Sequence, residues 1–185
     1  MLLRFLILLF FLNCLFAEKI LASETKNNSV YDFVFTSIDG KPLPLSKYMG
    51  NALLIVNTAS FCGFTKQYAD LQILWNRYKD RDLIVLGVPS NDFGSQEPGT
   101  ETEIKEFCEI NFDIDFPMTA KEHVKGKNSH PFYKWAVHKK GAIAKPRWNF
   151  HKYLINSNGE LVDWFSSPTS PLSNKMIRSV EAVLP

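Results

Sequence analysis

The stretch Leu53-Leu54-Ile55-Val56-Asn57-Thr58-Ala59-Ser60-Phe61-Cys62-Gly63-Phe64-Thr65 decides how the rest of the chain is read. Its first half is continuously apolar, the pattern of a strand buried on both faces. Its second half turns the chain at Gly63 and Thr65. Tyr68, Leu71, Leu74, Trp75 and Tyr78 then follow at three- and four-residue steps, so residues 65–79 form an amphipathic helix. Residues 83–88 are a second apolar run, a parallel neighbour of the first strand reached through that helix. Cys62 stands in the strand-to-helix turn. There the unpaired N–H groups and partial positive charge of a helix N-terminus favour a thiolate.

Working outward, residues 31–36 alternate as a strand, Asp39-Gly40 is a hairpin turn signal, and Pro42 and Pro44 mark an edge or loop. After the second apolar run comes a loop dense in turn formers, Pro89 through Gly99. Thr100-Glu101-Thr102-Glu103 is a capping box opening a helix with Ile104, Phe107 and Cys108 on one stripe. Residues 130–138 read as a short helix. Residues 152–156 and 160–165 are strands joined by Asn156-Ser157-Asn158-Gly159. Ser170 as cap and Pro171 in the first turn open a last helix, with Met176, Ile177 and Val180 facing inward. This order predicts an α/β domain of thioredoxin-like fold: a mixed central sheet flanked by helices and preceded by an N-terminal β-hairpin.

The chain has 185 residues, of which 45% are hydrophobic, enough for one domain with a sizeable core. Residues 1–22 read as a signal peptide: Arg4 supplies the positive start, residues 5–12 are unbroken apolar, and Ala17 or Ala22 would end the cleaved segment. Residues 23–29 are a polar linker and 30–185 the folded domain. The expected location is therefore periplasmic or secreted, with no stable membrane association after cleavage. Asn13 before Cys14 is larger than a lipoprotein signal favours. The formal charge of +2, half of it from Arg4, Glu18 and Lys19 taken together, makes no electrostatic case for nucleic acid. Cys62 and Cys108 remain in the mature chain. They form no C-x-x-C, and the scattered His123, His130, His138 and His151 show no metal-ligand spacing.

A thiol reacts as its thiolate, and a helix N-terminus supplies about 2 kcal/mol at best, so a poised thiolate needs further donors. Gln96 lies in the loop after the second central strand; Trp148 and Asn149 lie just before the third. Their N–H groups suit both a thiolate and the oxygen leaving a peroxide. No general base is required, because the thiolate itself attacks the O–O bond.

Residues 57–65, Gly94-Ser95-Gln96-Glu97-Pro98-Gly99 and Arg147-Trp148-Asn149-Phe150 resemble the three signature blocks of the glutathione peroxidase family, in the family's order and at similar spacing. The similarity runs from about Val30 to Leu184. It implies a cysteine-type, non-seleno peroxidase that reduces hydrogen peroxide and organic hydroperoxides through a sulfenic acid and serves the oxidative stress response. The reductant would be glutathione or a thioredoxin-like thiol, with no cofactor and no metal. By the same resemblance Cys62 is the peroxidatic residue and Gln96, Trp148 and Asn149 are its hydrogen-bonding partners. Ser90 stands where many members carry a cysteine. Cys108 lies near the place of a resolving cysteine but one residue toward the N-terminus, a turn of about 100° on a helix that would point it into the core. Lys66, Lys145 and Arg147 are candidates for attracting a donor's carboxylates. The short segment 137–147 lacks the insertion that resembles the tetramer contact of larger members, so a monomer is expected. Two other readings remain open on the residues alone: a thiol-disulfide exchange protein on the same fold, and a non-catalytic binding domain.

Overall fold

A computed structural model of the chain describes residues 29–185. The leader at 1–22, Cys14 and all of the linker but its last residue lie outside the described residues. Two short strands, β1 (Val34–Thr36) and β2 (Pro42–Pro44), form an antiparallel hairpin. The main sheet holds β3 (Ala52–Thr58), β4 (Leu83–Pro89), β5 (Lys152–Ile155) and β6 (Leu161–Phe165) in the order β4-β3-β5-β6. β3 and β4 run parallel; β5 and β6 are antiparallel to their neighbours. The helices are α1 (Gln67–Tyr78), α2 (Glu101–Phe112), α3 (Pro131–Lys140) and α4 (Asn174–Glu181). The expected mixed sheet with helices on both faces and an N-terminal hairpin is what the chain forms.

All seven residues of β3 are buried, because it is a central strand covered on both sides. Successive side chains alternate between faces. Leu54 and Val56 meet Tyr68, Leu71 and Leu74 of α1, Ile104 and Cys108 of α2, and Met176 and Val180 of α4. Leu53 and Ile55 meet Phe33, Phe35 and Leu45 of the hairpin region and Phe132, Tyr133 and Ala136 of α3. Each such aliphatic side chain stabilises the fold by about 1.5–3 kcal/mol relative to exposure.

Several boundaries shift by a residue or more from the sequence reading, and three of the shifts have a clear local cause. Val30–Asp32 is a 3-10 turn capped by Ser29, so the first strand starts only at Val34. Helix α1 starts at Gln67 rather than 65, because Thr65 is engaged in the turn around Cys62. The last helix is capped by Ser173 and not Ser170: the Ser173 Oγ accepts from the Met176 N–H at 3.3 Å. Ser170 is taken up in a preceding turn, where its Oγ donates to Asp70 Oδ2 at 2.9 Å and accepts from the Leu172 N–H.

The Asn156–Gly159 turn does more than join β5 to β6. Gly159 sits at φ +81°, and its carbonyl accepts the Val30 N–H at 2.9 Å. A Cβ there would collide with Ser29 Oγ and lie 2.7 Å from the Tyr31 ring. Gly159→Ala is expected to lower stability by about 1–3 kcal/mol, through both the left-handed backbone and the clash with the N-terminal turn. Urea unfolding would measure it, and an unchanged midpoint would contradict this account.

Candidate active site

The carboxyl end of β3 runs directly into the turn that holds Cys62. Thr65 organises that turn: its Oγ accepts the Cys62 N–H at 2.9 Å, and its hydroxyl lies 2.9 Å from the Ala59 carbonyl and 3.2 Å from that of Ser60. The Phe64 N–H points at Cys62 Sγ at 3.4 Å. A backbone N–H at this position favours the anion of the sulfur. Cys62 is 9% exposed, and its neighbour Phe61 is 67% exposed, so the thiol sits just beneath the surface. Both described cysteines are free.

The loop after β4 is tied to this turn at two consecutive residues. The Phe61 N–H donates to the Gln96 carbonyl at 3.0 Å, and the Ser60 N–H donates to Glu97 Oε2 at 2.9 Å. Gln96 follows Gly94 and Ser95, both in the left-handed region at φ 64° and 52°. The loop before β5 arrives from the other side. Asn149 Nδ2 donates to Gln96 Oε1 at 3.0 Å, which leaves the Gln96 NH2 outside that bond. Trp148 is 40% exposed and its ring packs against Phe93 at 5.9 Å. Asn57, buried at the end of β3, donates its side-chain amide to the Trp148 carbonyl and accepts the Phe150 N–H at 2.6 Å. Thus all three loops carrying Cys62, Gln96 and the Trp148–Asn149 pair meet at one end of the sheet. Among the described residues the recorded donor to the sulfur is the Phe64 amide, with the side chains of Gln96 and Asn149 bonded to one another.

Of the other candidates, Cys108 is 1% exposed on α2 and burial pushes its thiol up to about 12, with the neighbouring Tyr68 hydroxyl only partly countering this. Lys145 and Arg147 both line a cavity of about 390 Å³, together with His151 and Trp164. Lys66 is exposed at the start of α1, apart from that cavity. His130 caps α3, accepting the Phe132 N–H, and stacks on Phe35; His151 stacks on Trp164. No cluster of three metal-ligating side chains occurs among the described residues.

Two site residues were not signalled by the sequence reading. Asn57 looks like the polar end of a strand, and Glu97 like a loop surface residue. Glu97 is instead fully buried, with Oε1 lacking a partner. Burial drives its carboxyl up from 4.5 to about 7 against the hydrogen bond from the Ser60 N–H. Both residues lie within the blocks quoted above, and the local clue to Glu97 was the run of turn formers around it, which pins the backbone tightly enough to bury a side chain.

The sequence profile described as glutathione peroxidase matches residues 30–137. The chain is 42% identical over 156 residues to a glutathione peroxidase-like peroxiredoxin of Schizosaccharomyces pombe, covering 83% of this chain and 98% of that protein. It is 44% identical over 153 residues to a hydroperoxy fatty acid reductase of Synechocystis, covering 78% and 90%. Among solved structures, T. cruzi GPX1 superimposes with a TM-score of 0.67 at 32% identity, covering 84% of this chain and 96% of that one. A thiol:disulfide interchange protein of Chlorobium tepidum gives 0.61 at 16% identity, covering 83% and 93%, a likeness of fold alone.

The buried ionisable groups leave a pH signature. Between about pH 4.5 and 7 the folded state holds the Glu97 proton more tightly than the unfolded state, so this group lowers stability as pH rises. His151 acts oppositely. Burial, then the Lys152 charge, pulls it from 6.5 to about 4, so stability rises with pH across that window. Each amounts to roughly 3 kcal/mol at full extent, and the two oppose one another where they overlap. Glu97→Gln should make stability climb more steeply from pH 4.5 to 6.5, and His151→Gln should make it fall, as read by urea unfolding across that range. Parallel curves for the wild type and both variants would contradict the burial of these charges.

Proposed function

The chain belongs to the glutathione peroxidase family and is a thiol-dependent peroxidase, and we propose that Cys62 is the residue its substrate meets. The observation that carries this is the convergence of three loops on a near-surface thiol, through the Phe61–Gln96 and Gln96–Asn149 hydrogen bonds. The Cys62 thiolate attacks one oxygen of a hydroperoxide. The O–O bond breaks, the sulfur becomes a sulfenic acid, and an alkoxide or hydroxide leaves and takes a proton. In this reading Trp148 Nε1 and the amides of Gln96 and Asn149 orient the peroxide and stabilise the developing negative charge, a role supported by the Gln96–Asn149 hydrogen bond that joins their two loops. A thiol then attacks the sulfenic sulfur, releasing water and forming a disulfide, and a second thiol exchange restores Cys62.

Thiol-disulfide exchange by a vicinal pair is disfavoured by the turn itself. The residue three after Cys62 is Thr65, whose hydroxyl is committed to the Cys62 N–H and to the Ala59 and Ser60 carbonyls. The resolving thiol is proposed to be Cys108, which shares one buried cluster with Cys62. With the thiol buried and pushed up to about 12, Cys108 attacks only when α2 opens locally. Because an oxidising compartment lacks an abundant reduced-glutathione pool, a thioredoxin-like donor is the favoured final reductant. Lys145 and Arg147 flank a cavity suited to an anionic or acidic part of that donor.

Export as a monomer completes the proposal, supported by the charged and apolar pattern of residues 1–22 and by the short connection from α3 to the 3-10 turn at Ala142–Ala144. Among the described residues no helix is long and apolar enough to cross a membrane.

Cys62→Ser should abolish peroxide consumption with an unchanged circular dichroism spectrum; retained turnover would end the assignment. Peptide mapping of peroxide-treated protein, with free thiols trapped, should show a Cys62–Cys108 disulfide, and mixed disulfides with added thiol alone would remove Cys108 from the cycle. Expressed with its leader in a secreting host, the protein should be recovered outside the cytoplasm with an N-terminus near residue 18 or 23 and should sediment as a monomer; an intact Met1 on cytoplasmic protein would refute export.

A further inference from the structure

Lys152 is a charged residue in the centre of the fold, and nothing in the reaction just described uses it. It is 0% exposed, on β5 between Val56 of β3 and Phe165 of β6. Among the described residues no carboxylate is hydrogen-bonded to its side-chain nitrogen. Asp70 acts on it from a distance, and Asp70 Oδ2 is occupied by the Ser170 hydroxyl. The Lys152 Nζ instead donates to two backbone carbonyls, Phe150 at 2.8 Å and Ser167 at 3.3 Å. An apolar side chain would fill this position without the penalty of burying a charge.

The carbonyl it holds belongs to an unusual residue. Phe150 is fully buried and sits at φ 61°, a left-handed backbone that a bulky side chain rarely adopts. It immediately follows Trp148 and Asn149. Its N–H is held by the Asn57 carbonyl, and its own C=O is the acceptor of the Lys152 ammonium. The left-handed turn is therefore clamped from both sides of one residue. The second carbonyl, that of Ser167, also accepts Gln67 Nε2 at 2.7 Å, which anchors the ammonium to the first turn of α1 just beyond Cys62.

We propose that Lys152 is a positioning residue for peroxide reduction: its buried side-chain nitrogen, donating to the Phe150 carbonyl, braces the left-handed turn at Phe150 and so aims Trp148 and Asn149 at the reacting sulfur. The inference rests on Cys62 being the reacting thiol. Without the brace, Phe150 relaxes toward an ordinary backbone conformation and the side chains before it swing away from Gln96 and Cys62. The position of the sulfur is unchanged, because its turn is held by Thr65 and Phe64.

The test uses Lys152→Met in the mature protein and compares two reactions of Cys62. Oxidation by hydrogen peroxide, followed with a sulfenic-acid probe, should slow at least fivefold. Alkylation by iodoacetamide on its alkaline plateau, where the thiol is ionised throughout and the peroxide-orienting groups are not needed, should change less than threefold. Combining the change with Asn149→Ala should cost less than threefold beyond Asn149→Ala alone, since the lysine acts through that segment. A smaller loss in the single variant, an equal loss in both reactions, or a further fivefold loss in the double variant each overturns the proposal. If Lys152→Met does not fold, Lys152→Gln, which keeps a donor in the core, undergoes the same comparison. Failure of the underlying assignment is separable: it would show as peroxide consumption surviving Cys62→Ser, whatever Lys152 does.

Discussion

Asn57 ties the chemistry of this protein to its scaffold. At the buried end of β3 its backbone N–H donates to the His151 carbonyl, its carbonyl accepts the Phe150 N–H, and its side-chain amide donates to the Trp148 carbonyl. One residue thus fixes the approach to β5 at three points, five residues before Cys62. A buried polar group left unpaired costs about 1–3 kcal/mol, so the segment carrying Trp148 and Asn149 cannot lift away from β3 without a substantial penalty. That β3 can do this follows from its central place in the sheet, with β4 parallel on one side and β5 antiparallel on the other. Loops from both neighbours reach its end.

Around this anchor the site concentrates features that a fold selected only for stability would avoid. Ser95 and Phe150, left-handed without being glycine, sit immediately before Gln96 and immediately after Asn149. Each such residue costs of order 1–3 kcal/mol. Glu97 and Lys152 are buried ionisable groups on either side, both shifted to about 7 by loss of hydration. These costs are offset by two dense apolar clusters that sandwich the sheet. The result is a frame in which the loops carrying Cys62, Gln96 and Asn149 are held to one another by hydrogen bonds.

The two cysteines show how environment separates identical side chains. Cys62 lies in a turn with an amide aimed at its sulfur and an exposed neighbour. Cys108 lies on a helix stripe with Ile104, against Tyr68, where burial keeps the thiol protonated. Helix periodicity already placed Cys108 on the inward stripe. Periodicity could not reveal that Tyr68 and Glu97 are its charged or polar neighbours, because those contacts join separate elements.

By itself the sequence determined the order of elements, the parallel pair at β3 and β4, the hairpins and the location of the thiol. Each of these is written in short-range patterns: an unbroken apolar run, a 3.6-residue stripe, a capping box, an Asn-Gly turn. Local boundaries slipped where a side chain had a distant partner, as when Ser170 bonded Asp70 and left Ser173 to cap the last helix. Only the tertiary structure decided which polar side chains are buried and what they hold. Asn149 meets Gln96 across 53 residues of chain, Asn57 meets Trp148 across 91, and Ser60 meets Glu97 across 37. Such contacts leave no local periodicity. They exist because the sheet brings the ends of its strands to one edge, and that edge is a property of the folded whole.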